Sequence, residues 1–116
     1  MAIERMQTGP RMSQIVVNQG TVYLAGQVAM DAPGASAAEQ TKNITERIDA
    51  LLAEANTGKS NILSATIWLS KIGLYDEMNA VWDAWIDPKN PPARACVEAK
   101  LAFPDYDVEI MVIATT

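Results

Sequence analysis

The segment Pro91-Pro92-Ala93-Arg94-Ala95-Cys96-Val97-Glu98-Ala99-Lys100-Leu101 alternates strictly between small apolar residues and larger or polar ones. Side chains along a β-strand point alternately to the two faces of its sheet, so this period of two predicts a strand. One face is apolar and is predicted to lie on the core, through Ala93, Ala95, Val97, Ala99 and Leu101. The other face carries Arg94, Cys96, Glu98 and Lys100, which places a guanidinium beside a thiol.

Arg94 has the most distinctive chemistry in this strand. A guanidinium presents a planar fork of N–H donors that matches a carboxylate or a phosphate at two points. Charged strand faces usually contact solvent, so an incidental surface arginine is the alternative interpretation. The segment by itself leaves both interpretations open.

The composition bounds the class of protein. A chain of 116 residues is predicted to form one domain, 1–116, and 49% apolar with 20% charged residues is typical of an ordinary globular protein. The net charge of −5 and only 9 basic residues argue against a nucleic-acid partner, which requires clustered Lys and Arg. The chain has no histidine, which excludes Ser-His-Asp and Cys-His catalysis and removes the commonest zinc ligand.

Redox and targeting features favour an intracellular protein. Cys96 is the single cysteine, so no internal disulfide forms, and this suits a reducing compartment. No apolar run approaches the ~20 residues that span a bilayer, and the N-terminus lacks the basic-then-apolar signal pattern. We therefore expect a cytoplasmic protein with no membrane partner.

The first half of the chain is predicted to contain strands followed by one long helix. Residues 12–17 and 21–25 predict two strands around a turn at 18–20, residues 3–7 predict a short leading strand, and residues 30–35 predict a loop. Ser36 and Glu39 form a capping box that begins the helix, and Gly58 is predicted to end it. The apolar stripe of this helix consists of Ile44, Ile48, Leu51, Leu52 and Ala55.

The second half alternates between strands and a shorter helix. Residues 62–71 predict a strand with Leu63, Ala65, Ile67 and Leu69 on one face and Ser64, Thr66, Trp68 and Ser70 on the other. A helix follows over 74–85 and ends at Asp87-Pro88, with Asn79 at a polar position. Two of the three tryptophans lie at core spacing in this helix, which favours packing over a stacking platform for a ligand.

The last strand alternates over 106–114 and follows a short turn at 103–105, which predicts an antiparallel hairpin with the Arg94 strand. That hairpin sets Arg94, Cys96 and Glu98 beside Glu109, Met111 and Ile113. The element order predicts an α+β fold with a mostly antiparallel sheet and two helices on one face. The helix-free face is expected to meet a partner subunit, because it carries Trp68, Cys96, Met111 and Ile113.

Five segments together resemble the RidA family, also called the YjgF/YER057c/UK114 family. They are Gly20–Gln27, Ser64–Leu69, Met78–Trp82, Pro92–Glu98 and Val108–Ile110, and the resemblance covers about Met12 to Ala114. The motif Pro-Ala-Arg-x-Cys-Val-Glu is the most family-specific of these segments. The sequence from Met78 to Trp85 is most similar to the YoaB-like branch of the family. The resemblance implies a chorismate-mutase-like fold and a homotrimer with its sheets turned inward and its ligand clefts between neighbouring subunits.

The resemblance also implies an activity. Active members hydrolyse reactive enamines and imines of 2-amino acids to 2-keto acids and ammonia, without a cofactor or a metal. Arg94 matches the arginine that holds the substrate carboxylate, and Cys96 and Asn79 match two further residues of that cleft. The implied partners are a small carboxylic or imino acid and the protein itself.

Three positions depart from the pattern of active deaminases. The family's Tyr near the start of the strand is replaced in the region of Met12, its Ser before the glycine is Ala25, and its second Glu is Met111. That Glu is the carboxylate expected to orient the attacking water. The resemblance therefore implies that carboxylate binding is better preserved than water activation.

The remaining site residues each have two interpretations. Cys96 is a candidate catalytic residue, although a lone cysteine without a base more often packs as a small hydrophobe. Glu109 is a candidate general base, with structural pairing to Lys100 as the alternative. Asn79 either lines the cleft or is simply exposed, and Gly26 either permits close approach of a ligand or ends a strand.

Three functions follow in order of preference. The first is an enamine/imine deaminase, with weakened activity, in which Arg94 clamps the carboxylate and Met12, Ala25, Gly26 and Met111 line the cleft. The second is a non-catalytic regulatory trimer that binds small carboxylic acids. The third is a ribonuclease, which the acidic charge and the absence of histidine argue against.

Overall fold

The computed structural model describes residues 2–116. Its strands are β1 (Glu4–Thr8), β2 (Ser13–Asn18), β3 (Thr21–Leu24), β4 (Gln27–Val28), β5 (Ile62–Leu69), β6 (Ala93–Glu98) and β7 (Val108–Thr115), and its helices are α1 (Ala37–Glu54) and α2 (Tyr75–Trp85). Short 3-10 turns at Lys59–Asn61 and Ile72–Leu74 lead into β5 and α2. The predicted helices and strands are confirmed, including the short leading strand and the loop over 30–35.

The strands form one sheet in the order β1-β2-β3-β7-β5-β6, and β4 pairs with β7 beyond the end of β3. Every pair is antiparallel except β5 with β6. The two helices contact each other and contribute to the same core as the sheet. The predicted α+β class, with a mostly antiparallel sheet and two helices packed on it, is confirmed.

The predicted hairpin between the last two strands is wrong. β6 pairs in parallel with β5, and β5 lies between β6 and β7, so that Ile67 pairs with Cys96 on one side and with Ile110 on the other. The reason is the connection: α2 carries the chain from β5 to β6, and a helix crossover returns the chain beside the strand it left, in the same direction. Residues 99–107 then step across the end of β5 to reach β7.

The predicted faces of β6 are reversed. Ala93, Ala95 and Val97 are exposed, whereas Arg94 and Cys96 are half-buried and Cys96 packs against the core. Arg94 pairs with the buried residue Ala65 of β5, so it lies on the helix-covered face of the sheet. The other face of β6 belongs to the helix-free face of the sheet, so its apolar residues have no partner in this chain, and alternation alone does not reveal which face the helices cover.

Helix α1 begins as predicted and ends earlier. Ser36 Oγ accepts a 3.1 Å hydrogen bond from the Glu39 backbone N–H, as an N-cap residue does. At the other end Asn56 adopts a left-handed φ of 60°, and its N–H bonds to the Ala53 carbonyl at 3.0 Å. Asn56 rather than Gly58 therefore ends the helix, because asparagine tolerates the left-handed conformation that this kind of cap requires.

The core lies between the sheet and the two helices. The apolar stripe predicted for α1 is buried, and Ile67, Ile110 and Val112 face it from the sheet. Leu63 is 50% exposed, contrary to prediction, because the pairing register of β5 with β7 shifts between Ile62 and Ser64. That irregularity turns Ile62 rather than Leu63 into the core.

The helix-free face of the sheet is half-apolar. Trp68, Met111 and Ile113 lie on it as predicted, together with the more exposed Tyr23 and Val97. Cys96 does not lie on this face, because it pairs with the buried Ile67 and packs against the core on the helix-covered face. Within residues 2–116, neither helix combines the length and the apolar content that crossing a membrane requires.

Candidate functional site

Arg94 is held in place by two side chains of α2. Its Nη1 donates a 2.7 Å hydrogen bond to Asn79 Oδ1, and its Nη2 donates a 3.1 Å hydrogen bond to Tyr75 Oη. Asn79 is half-buried, so the interpretation of Asn79 as a plain solvent-exposed residue is wrong. The helix therefore orients the guanidinium that the strand supplies.

Two aromatic rings also contact this guanidinium. Arg94 Cζ lies 5.3 Å from the centroid of the Trp82 ring and 5.8 Å from that of Tyr75. Trp82 is itself fixed, since it is buried and meets Trp85 edge-on at 5.4 Å. A cation within about 6 Å of an aromatic face is attracted to it, so these rings restrict the motion of Arg94 without neutralising its charge.

The charge of Arg94 has no counter-ion in the described chain. Both of its acceptors are neutral, and the ion pair present within residues 2–116 joins Arg47 to Asp31 instead. A guanidinium has five N–H donors, of which two are used here. The half-buried, oriented and uncompensated cation is therefore suited to binding an anion, and a carboxylate matches its remaining donors.

Cys96 lies two residues from Arg94 on the same face of β6 and packs against the core. Burial raises the pKa of the Cys96 thiol, and the neighbouring Arg94 charge opposes this effect only in part. A raised pKa lowers the thiolate fraction at neutral pH, which disfavours a nucleophilic role. Cys96 is placed to line the Arg94 site as a small, largely apolar side chain.

Glu109 lies on the opposite face of the sheet from Arg94. It pairs with Trp68 of β5, whose side chain is on the helix-free face, so the expected neighbourhood of Glu109 with Arg94 and Cys96 is wrong. The proposed pairing of Glu109 with Lys100 is absent from residues 2–116. Burial raises the pKa of the Glu109 carboxyl, as expected for a carboxyl group removed from water without a cationic partner.

Gly26 is where the chain makes room for the Glu109 carboxylate. β3 and β4 both pair with β7, but one extra residue is inserted between them, since Tyr23 pairs with Ile113 and Gln27 with Ile110. A Cβ atom built on Gly26 would collide with Glu109 Oε2. Gln27 is buried at this break and donates a 3.0 Å hydrogen bond to the Ala25 carbonyl, which holds the irregular backbone.

The predicted site residues thus form two groups. Arg94, Asn79 and Cys96 lie together on the helix-covered side at the edge of the sheet. Glu109, Gly26, Ala25 and Met111 belong to the other face or to the β3–β4 break beside it. Met12 precedes β2, is largely exposed, and accepts a 2.8 Å backbone hydrogen bond from Gly9.

Tyr75 and Trp82 are the site residues that sequence reasoning missed. Tyr75, Asn79 and Trp82 follow one another at spacings of four and three, which places all three on one face of a helix. That spacing could have identified them once Asn79 was chosen. Trp82 was instead assigned to packing, which its burial confirms, and its contact with Arg94 adds a second role.

Two clefts lie near the ends of β5 and β6. The larger, about 840 Å³, is lined by residues of the 98–107 segment and contains none of the predicted site residues. A smaller one, about 440 Å³, is lined by Ile72, Gly73, Tyr75 and Asp76. Tyr75 therefore both lines an open cleft and accepts a hydrogen bond from the Arg94 guanidinium.

This α+β chain, with an oriented arginine at the edge of its sheet, has close relatives. The family model described as Endoribonuclease L-PSP matches residues 3–116. A RutC family protein from Haemophilus influenzae is 44% identical over 115 residues, covering 99% of each chain, and RutC family protein YoaB from Escherichia coli is 39% identical over 114 residues, covering 98% of each.

The structural comparison agrees with the sequence comparison. The crystal structure of a YjgF-family protein from Neisseria meningitidis superposes with a TM-score of 0.96 at 44% identity, covering 100% of this chain and 96% of that one. The chain belongs to the Endoribonuclease L-PSP family, whose relatives carry the names RutC and YjgF. The resemblance to the RidA family and to its YoaB-like branch is thereby confirmed.

Proposed function

We propose that this protein is a homotrimeric enamine/imine deaminase that converts reactive 2-imino and 2-enamino acids to 2-keto acids and ammonia. The observation that carries the proposal is Arg94, a half-buried cation oriented by two neutral side chains and lacking a carboxylate partner within residues 2–116. A partly desolvated charge without a counter-ion gains free energy from an anionic partner, so a ligand carboxylate stabilises the site when it binds.

The reaction adds water across a carbon–nitrogen double bond. The water oxygen bonds to the imine carbon, and both water protons pass to the nitrogen. The carbon–nitrogen bond then breaks, so that ammonia departs and a 2-keto acid remains. An imine is already reactive toward water, so holding its carboxylate and fixing its orientation supplies a large share of the acceleration. Arg94 performs the holding, and Asn79 and Tyr75 fix the direction of the guanidinium.

A second copy of the chain completes the proposed site. Arg94 and Glu109 occupy opposite faces of one sheet, so a small acid bound to Arg94 reaches a carboxylate such as Glu109 only if another subunit supplies it. The half-apolar helix-free face provides a surface for that assembly, with Tyr23 and Val97 each more than two-fifths exposed. Edge strand β6 brings Arg94 and Val97 to the same border of the chain.

Water activation is expected to be weak. Met111 lies on the face that carries Glu109 but offers neither an acidic proton nor a charge, and Ala25 offers no hydroxyl. Glu109 is the candidate base that remains, and its raised pKa places it closer to neutral pH than an ordinary glutamate, which suits proton transfer. The same departures favour the second candidate function, a trimer that binds small carboxylic acids without turnover.

A ribonuclease activity, the one that the family model is named for, receives little support from this chain. The net charge is −5 and there is no histidine to act as general base. The carboxylate-binding functions require neither a basic surface nor a histidine, so they account better for the residues at the site.

Calorimetry with 2-oxobutanoate tests the anchor on which both preferred functions depend. An Arg–carboxylate contact in a partly desolvated site contributes about 1.5–3 kcal/mol, so Arg94→Ala is expected to weaken binding roughly ten- to a hundredfold. Arg94→Lys is expected to restore only part of the loss, because an ammonium lacks the planar fork. Equal affinities for the native chain and both variants would remove the proposed anchor.

A further inference from the structure

The Tyr75 hydroxyl has a free proton beside Arg94. Its oxygen accepts the 3.1 Å hydrogen bond from Nη2, and within residues 2–116 it donates no hydrogen bond in return. The residue is 41% exposed and also lines the open cleft formed with Ile72, Gly73 and Asp76. Because the residue is exposed and its oxygen already contacts Arg94, its O–H is free to donate to a ligand that binds this guanidinium.

The geometry decides which ligand atom this proton can reach. The two N–H bonds of Nη2 diverge by about 120°, so an oxygen bound to the second one lies about 5 Å from Tyr75 Oη, beyond hydrogen-bond range. In a 2-oxo or 2-imino acid, the heteroatom at the 2-position lies about 2.7 Å from the nearer carboxylate oxygen. The heteroatom can therefore lie between that carboxylate oxygen and Tyr75 Oη, about halfway along the roughly 5 Å that separates them. This places it within roughly 2.8 Å of Tyr75 Oη, the length of an ordinary O–H hydrogen bond.

We infer that the Tyr75 hydroxyl donates a hydrogen bond to the 2-oxo oxygen or 2-imino nitrogen of an acid whose carboxylate is held by Arg94. Tyr75 is then a specificity-determining residue that distinguishes 2-oxo and 2-imino acids from simple carboxylic acids. The inference rests on the proposed function, because it takes Arg94 as the carboxylate anchor. It names a role that Asn79 does not share, since the Asn79 oxygen only accepts from Arg94 in the hydrogen bond that joins them.

A purely structural role for Tyr75 makes a different prediction. If the hydroxyl serves only to orient Arg94, its removal weakens the binding of every carboxylate by the same factor. If it also contacts the 2-position, its removal weakens the acids that carry an acceptor there more than the acids that do not. The comparison of two ligands that differ at this one position separates the roles.

Calorimetry with 2-oxobutanoate and butanoate provides that comparison, on the native protein and on Tyr75→Phe, which keeps the ring against Arg94. The variant loses the hydrogen bond that orients Arg94 for both acids, and its loss of affinity is expected to be roughly three- to tenfold greater for 2-oxobutanoate than for butanoate, the range of one further neutral hydrogen bond. Tyr106→Phe is the matched control, since Tyr106 contacts Met30 and Phe103 rather than Arg94, and neither affinity is expected to change.

Equal losses for the two acids, or no loss for either, would overturn the inference. A measurement of turnover distinguishes failure of this inference from failure of the deaminase proposal. If the native protein releases no ammonia from 2-iminopropanoate but Tyr75→Phe shows the selective loss, the inference stands and the deaminase proposal falls. If the native protein turns over and the losses are equal, the reverse holds.

Discussion

Arg94 and Glu109 lie on opposite faces of one sheet, with β5 between their strands. Arg94 pairs with Ala65 and Glu109 pairs with Trp68, which lies three residues further along β5. From the spacing of strands and of residues within them, their Cα atoms are about 14 Å apart, and the side chains point away from each other. A small acid bound to Arg94 therefore does not reach Glu109 of the same chain, so the proposed catalysis by Glu109 requires a second subunit.

The assembly is expected to be a trimer and to depend on the outward face of β6. Light scattering is expected to return three times the 12.6 kDa chain mass for the native protein at micromolar concentration. Val97→Lys places a charge on this exposed apolar face and is expected to lower the mass without unfolding the chain, because Val97 is 48% exposed. Ala50→Lys adds the same charge on the exposed side of α1 and serves as the control. A monomeric native protein would contradict the shared site.

Gly26→Ala is expected to move the Glu109 carboxylate with little loss of stability. The new Cβ atom collides with Glu109 Oε2, which is the far end of a flexible side chain and turns aside easily. Turnover of 2-iminopropanoate is expected to fall while the melting temperature and the affinity for 2-oxobutanoate change little. Gly58→Ala is the matched control, since a Cβ atom there meets nothing within 4 Å. Unchanged turnover in Gly26→Ala would show that Glu109 is not the base.

Glu109→Gln is expected to stabilise the protein at pH 8 and to have little effect near pH 4. Burial raises the pKa of Glu109 in the folded state above its ordinary value of 4.5, so the folded state disfavours the ionised form. The contribution of this group to stability is therefore full below pH 4.5 and is lost as the pH rises through the raised pKa. Glutamine is neutral throughout and avoids that loss.

Thermal unfolding at the two pH values measures this difference. Glu46→Gln removes the same charge from the exposed surface of α1 and controls for the change in net charge. A Glu109→Gln variant that is less stable than the native protein at pH 8, and equal to it near pH 4, would mean that a cation from another subunit stabilises the carboxylate.

Met111→Glu is expected to raise turnover while leaving the affinity for 2-oxobutanoate nearly unchanged. The substitution adds a carboxylate on the face of Glu109, and a well-positioned general base supplies roughly 10²–10⁴-fold in rate. Met111→Gln, which is similar in size but has no basic group, is expected to leave turnover unchanged. An equal rise in both variants would attribute the effect to polarity. Binding without turnover in every variant would favour the non-catalytic carboxylate-binding function.

Much of the fold was predictable from the sequence because its signals are local. The Ser36 cap, the apolar stripe of α1 and the alternation of β7 each depend on neighbouring residues, and each is confirmed. The position of β6 was not predictable in this way. Its alternation defined two faces but not which one α2 covers, and its parallel pairing with β5 depends on how the intervening helix packs.

The candidate site likewise contains residues that the sequence could identify and residues that only the packing of distant segments reveals. Arg94 was singled out by the chemistry of its strand and Asn79 through the family resemblance, and the two do hydrogen-bond to each other. Tyr75 was missed because its helical spacing from Asn79 is the one local signal it gives, and its contact with Arg94 becomes visible when β6 is placed beside α2. Glu109 was placed beside Arg94 because a hairpin was assumed where the chain instead crosses β5.

Ammonia release from freshly generated 2-iminopropanoate tests the central claim most directly, measured for the native protein, Arg94→Ala and Arg94→Lys against the uncatalysed rate. The native protein is expected to accelerate ammonia release. Arg94→Ala is expected to lose roughly ten- to a hundredfold in kcat/KM, the range of one charge-assisted contact, with Arg94→Lys in between. A native rate equal to that of buffer, or an Arg94→Ala rate equal to the native one, would contradict a deaminase anchored on Arg94.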